Sequence, residues 1–194
     1  MGGGGIEEAV AEAARAMTAV KQRQRGNTPT GRTSRIAERR LLVDQLFGAV
    51  SRGELRAHYH PIRTVATGQL VGFEALVRWE HPKLGLLNPI DFIPVAEETD
   101  LIVRLGSFVL GRAVADITRW QKELPRPEAP LFMSVNISSR QLLHQDLIPE
   151  VRNLLGRNVL PRGTLRLEVT ESLVMENPEQ ATQILTQLKA AGAD

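Results

Sequence analysis

Apolar residues recur at helical spacing in some stretches of this chain and alternate with polar ones in others. Ile6, Val10, Ala13, Met17 and Val20 predict an amphipathic helix over 6–22. The polar run 25–33 (RGNTPTGRT), punctuated by Gly and Pro, reads as a linker. A second helix is expected from an N-cap at Ser34 to Arg52, with Leu42, Leu46, Ala49 and Val50 as its apolar stripe and Gly53 as its stop. The period then shortens. Ala57–Thr64 and Leu70–Trp79 read as strands of an antiparallel hairpin turning at Thr67-Gly68. Asn88 and Pro89 open a short helix to Glu98, and Ile102, Leu105, Val109, Val114, Ile117 and Trp120 mark a longer one. Pro125, Pro127 and Pro130 enforce a loop before an apolar strand, Leu131–Ile137. Ser138 or Ser139 caps the helix after it; a further helix covers 146–156, a strand Thr164–Thr170, and a last helix Pro178–Ala191.

Strand and helix alternating after an opening hairpin argue for an α/β fold with a parallel sheet. Sorting each strand into its two faces separates apolar from polar rows. Phe73, Ala75 and Val77 oppose Glu74, Leu76 and Arg78; Leu165, Leu167 and Val169 oppose Arg166, Glu168 and Thr170. Asn136 is a polar amide near the end of an otherwise apolar strand. Glu74 and Arg78 stand ~13 Å apart along their row, too far for a simple ion pair. Three successive strands thus place an oxygen donor on a face expected to be interior. Two carboxylates and an amide carbonyl suit a hard cation such as Mg²⁺ or Mn²⁺. Any one of the three alone is better read as a satisfied core polar group or a helix cap; as a set, the functional reading competes.

Composition changes the picture in three ways. Without cysteine, disulfides, thiolate nucleophiles and Cys-ligated zinc are excluded, and a cytoplasmic setting fits. No stretch is long and apolar enough to span a bilayer, so no membrane span is expected. The net charge of +2 is uneven: residues 1–40 hold eight Lys/Arg against four Glu. The basic run from Lys21 to Arg40 lacks interleaved aromatics to stack on bases, so it reads as a solvated linker and not as a nucleic-acid surface.

The strand 72–79 (GFEALVRW) resembles the signature strand of EAL domains, and three further blocks follow in that family's order: 91–98 (DFIPVAEE), 134–138 (SVNIS) and 167–172 (LEVTES). The resemblance implies a (β/α)8 TIM-like barrel with an antiparallel first strand, and metal-dependent hydrolysis of cyclic di-GMP to pGpG. Carried over by position, Glu74, Asn136 and Glu168 match metal ligands for Mg²⁺ or Mn²⁺, and Arg78 matches an arginine that holds a substrate phosphate. Leu76 lines the nucleotide site, and Glu171 matches a loop-stabilising glutamate. His60 stands where the family usually has Gln and is the substrate-binding candidate there. His58 shares its face, but no third nitrogen ligand accompanies the pair, and exposed or ligand-edge residues are expected. His81 and His144 lack metal spacing and are expected at the surface.

The family's next strand carries paired aspartates in a DDFGTG-like motif, and later strands a lysine, a glutamate and a glutamine. The sequence reaches Ala191-Gly192-Ala193-Asp194 where that strand would begin. From Leu55 onward there are 140 residues, against ~250 for a typical eight-stranded barrel. The expectation is an incomplete barrel, no complete catalytic set, and failed hydrolysis by these 194 residues. The alternative is a non-catalytic module that binds cyclic di-GMP or a protein, with a homodimer or other partner covering the open barrel edge. Expected domains are 1–32 (helix and basic linker, with 13–27 resembling the end of a GGDEF domain), 33–54 (linker helix) and 55–194 (EAL domain).

Overall fold

The computed structural model describes residues 41–123, 130–158, 160–170 and 177–194. The helix expected over 6–22, the linker after it, the start of the second helix, Pro125, Pro127 and Glu171 lie outside them. A compact unit runs from Val43 to Asp194. Its elements are helix α1 (41–49), strands β1 (Leu55–Arg63), β2 (Leu70–His81) and β3 (Gly85–Leu87), helices α2 (Pro89–Glu97) and α3 (Leu101–Glu123), strand β4 (Phe132–Ile137), helices α4 (Ser139–Leu142) and α5 (Leu147–Asn158), strand β5 (Leu165–Val169) and helix α6 (Pro178–Ala191).

The sheet has the order β1-β2-β4-β5, with β3 paired to the end of β2. β1 runs antiparallel to β2, while β2, β4 and β5 are parallel. This is the fold class read from the sequence: α/β, an incomplete TIM-like barrel whose first strand is antiparallel. Punctuation residues fall where their chemistry is needed. Gly53 ends the turn after α1 at φ +67°, and Gly68 takes φ +66° in the hairpin turn, both left-handed values that cost a side chain energy. Ser138 caps α4 by accepting the Gln141 N–H at 3.2 Å, while Gln141 Oε1 accepts from Ser138 in return. Asp91 accepts the Asn88 N–H at 3.2 Å ahead of Pro89, closing the first turn of α2.

The apolar row of each strand faces the helices. Ala75, Val77, Met133, Val135, Ile137 and Leu165 are buried, as are Ile102, Leu105, Val109, Leu110, Ala113, Val114 and Ile117 of α3, which crosses β1, β2 and β4. Each large side chain fully removed from water in this layer contributes about 1.5–3 kcal/mol. α3 is also tied to the sheet by polar contacts. Asp116, buried, accepts Tyr59 O–H at 2.6 Å and Arg112 Nε–H at 2.8 Å. Burial and then the Asp116 carboxylate push the Tyr59 phenol well above its ordinary range, so it stays a neutral donor. Gln121 Nε2 donates to Leu131 O at 2.7 Å, at the entry to β4.

His81 is not at the surface. Its exposure is 4%, because β2 continues two residues past Trp79 to pair with β3 and turns the imidazole inward. Nδ1 accepts the N–H groups of Lys83 and Leu84, each at 3.1 Å, so Nε2 carries the proton and donates to Gln45 Oε1 at 2.9 Å. Beside it Trp79 is fully buried, edge-on to Phe92, and donates Nε1–H to Glu54 at 3.0 Å. Hydrogen bonds from Arg52 and Trp79 hold the Glu54 carboxyl down to about 2. His144 is half-buried, 3.7 Å from Asp146.

Candidate functional site

The polar row is the other face of the same sheet, and strand register determines which residues stand side by side. Glu74 is opposite His60 on β1 and Ser134 on β4; Leu76 is opposite His58; Asn136 is opposite Glu168 on β5. Partners across a ladder share a face, so His58, His60, Glu74, Leu76, Ser134, Asn136 and Glu168 form one surface.

Two hydrogen bonds from β4 cross this surface in opposite directions. Asn136 Nδ2 donates to Glu74 Oε1 at 2.8 Å, toward β2. Ser134 Oγ donates to Glu168 Oε1, toward β5. Among the described residues no side chain binds the second oxygen of either carboxylate. With its amide nitrogen committed to Glu74, Asn136 keeps its carbonyl oxygen for another partner. The donor set therefore consists of two carboxylates and an amide carbonyl, all hard oxygens, which fits a divalent cation such as Mg²⁺ or Mn²⁺. Among the described residues no group of three or more His, Asp or Glu is placed to hold a metal, so these donors are few. The His58–His60 pair does not extend to a nitrogen site, and both rings are exposed.

The row is more open than the sequence suggests. Glu74 is half-buried, but Asn136 and Glu168 are exposed. Arg78 lies on the same row, half-buried, with Nη1 donating to Val77 O at 2.9 Å. Its cross-strand neighbour Arg56 is paired with Glu80 at 2.7 Å, and Arg166, also on the row opposite Ser134, stacks on Phe132, so Arg78 is one of two cations on this face outside that ion pair among the described residues.

A cavity of about 370 Å³ opens at the C-terminal ends of the parallel strands. Leu76, Asn136, Glu168 and Thr170 line it on the sheet side; Ile90, Ile93, Pro94 and Glu97 of α2 form the facing wall. Barrel folds gather their sites at this end. Ser134, the α2 wall and Thr170 carried no role in the sequence reading. Ser134 was within reach of it, since it stands two residues before Asn136 on the same row.

Comparison with known proteins decides the family. The EAL domain model matches residues 43–194. The chain belongs to the EAL family. Among curated relatives, an uncharacterized signaling protein of Caulobacter vibrioides is 43% identical over 157 residues, covering 81% of this chain and 18% of the relative. MucR of Pseudomonas aeruginosa, described as a bifunctional diguanylate cyclase/cyclic di-GMP phosphodiesterase, is 41% identical over 155 residues, covering 80% and 22%. The chain thus spans about a fifth of these relatives' length. Among solved structures, a MucR phosphodiesterase complexed with cyclic di-GMP superposes with a TM-score of 0.73 at 40% identity, over 79% of this chain and 61% of that one. The EAL enzyme Bd1971, with cAMP and cyclic di-GMP bound, gives 0.75 at 26%, over 95% and 49%. No helix among the described residues is long and apolar enough to cross a membrane.

Proposed function

We propose that this EAL domain carries residues of a cyclic di-GMP phosphodiesterase site. The observation that carries the reading is the row of Glu74, Asn136 and Glu168 on three neighbouring strands, with Asn136, bonded to Glu74, and Glu168 lining one cavity together with Leu76. The likeness at about 40% identity to a phosphodiesterase solved with cyclic di-GMP supports it. In this reading Glu74, Asn136 and Glu168 hold a divalent metal. The Arg78 guanidinium presents parallel N–H groups to phosphate oxygens. Leu76 and the α2 wall exclude water from the base. His60, opposite Glu74, offers a ring nitrogen to the ligand edge. When bound, the metal would supply an activated water and neutralise phosphate charge.

Three side-chain oxygens can hold one Mg²⁺ or Mn²⁺ with water and phosphate filling its other positions, but they supply too few ligands for a paired-metal site that clamps both attacking and leaving oxygens. The 194-residue chain is therefore expected to bind cyclic di-GMP without releasing pGpG. Incubation with cyclic di-GMP and Mn²⁺, followed by chromatography, checks the second half of that statement. Turnover abolished by Glu74→Ala would contradict it. A titration checks the first half: Arg78→Ala should weaken binding about tenfold or more, the usual scale for a charge-assisted contact. Unchanged affinity in that variant would remove Arg78 from the site.

The open face favours a second reading, a non-catalytic module that binds cyclic di-GMP or a protein partner there, a second copy of the chain included. Concentration-dependent self-association that buries Asn136 and Glu168 would support the second copy.

A further inference from the structure

We propose that Ser134 is a positioning residue that aims the Glu168 carboxylate at the divalent-cation site; this rests on Glu168 being a ligand of that site. Ser134 is 1% exposed, while Glu168, its partner, is exposed. A buried hydroxyl needs a partner, and Ser134 finds it in a carboxylate on the next strand, not in the backbone of its own. The register explains the reach. Ser134 is directly opposite Arg166, so Glu168 lies one step along β5 on the same face. Its carboxylate therefore leans back along the sheet to meet the hydroxyl. Glu74 does the corresponding thing from the other side, where Asn136 holds it at 2.8 Å. β4 thus restrains both flanking carboxylates, each through Oε1, and leaves the second oxygen of each without a side-chain partner among the described residues.

An exposed glutamate without such a restraint samples several rotamers, and ordering it on binding costs free energy. Ser134 removes part of that cost beforehand. Arg166 does not take over the role, because its guanidinium carbon sits 3.5 Å from the Phe132 ring centroid.

The test is Mn²⁺ binding by the full 194-residue chain, followed by electron paramagnetic resonance of the free ion. Ser134→Ala is expected to weaken Mn²⁺ binding roughly tenfold, the lower end for loss of a partner behind a metal ligand. Ser134→Thr, which keeps the hydroxyl, should recover most of it. In a Glu168→Gln background Ser134→Ala should have no further effect, whereas a merely structural serine would weaken both backgrounds equally. Circular dichroism melts check that each variant is folded. Equal weakening in the two backgrounds, or none in either, overturns the positioning role. If Glu168→Gln itself leaves Mn²⁺ affinity unchanged, or the unsubstituted chain binds no Mn²⁺, the metal-site reading beneath it fails instead.

Discussion

Trp79→Ala should lower the unfolding free energy by about 4 kcal/mol, within the range for deleting a buried indole. Domains of this kind hold only about 5–15 kcal/mol in total, so the loss removes roughly a quarter or more of the folding free energy. The indole is fully buried, edge-on to Phe92 and His81. Its Nε1–H is one of the groups that hold Glu54, which Arg52 Nε also meets at 2.5 Å. Truncation therefore opens a cavity and strips a donor from a carboxylate in one step. Trp79→Phe should fall between, keeping ring area and losing the hydrogen bond. Urea denaturation read by the remaining Trp120 measures both. A loss below about 1 kcal/mol for the alanine variant would show that α1, α2 and the β2–β3 hairpin collapse onto the space more freely than the structure implies.

Gly72→Ala should harm both stability and the site. A Cβ there would lie 2.7 Å from the Phe132 carbonyl oxygen and 2.8 Å from two Phe132 ring carbons. The carbonyl belongs to β4, and the ring is backed by Arg166, so neither can give way easily. β2 and β4 must separate, at a cost of about 1–3 kcal/mol for overpacking. That separation stretches the bond between Asn136 and Glu74, one turn of the pleat away. Mn²⁺ affinity should fall along with the melting temperature. Gly111→Ala serves as the control: nothing lies within 4 Å of its added Cβ, and helix propensity predicts a gain of about 0.5–1 kcal/mol. If Gly72→Ala melts like the parent chain, the close approach of the strands is not a constraint.

Much of this architecture was legible beforehand because it rests on local periodicity. The hairpin, the parallel strands after it and the split of Glu74, Leu76 and Arg78 from Phe73, Ala75 and Val77 follow from alternation alone, and the register preserves that split. β3 was not legible: three residues, Gly85-Leu86-Leu87, are too few to show a period, and they form a strand only because β2 runs on to His81. The same extension buries His81, whose partners Gln45, Lys83 and Leu84 meet it through the tertiary fold. The openness of Asn136 and Glu168 was misjudged as interior because strand patterns report which face is polar, not whether the sheet closes over it. The tie between Ser134 and Glu168 depends on the diagonal offset between two parallel strands, which only the register reveals.

β2, β4 and β5 carry Glu74, Asn136 and Glu168 on one continuous row, which we propose faces a cation. Paramagnetic broadening of amide resonances by substoichiometric Mn²⁺ in the full chain tests it most directly. The amides around Glu74, Asn136 and Glu168 should lose intensity together, ahead of the rest of the sheet. Broadening that falls instead on a separate acidic surface, such as Asp146 or Glu179, with those three strands untouched, would contradict it.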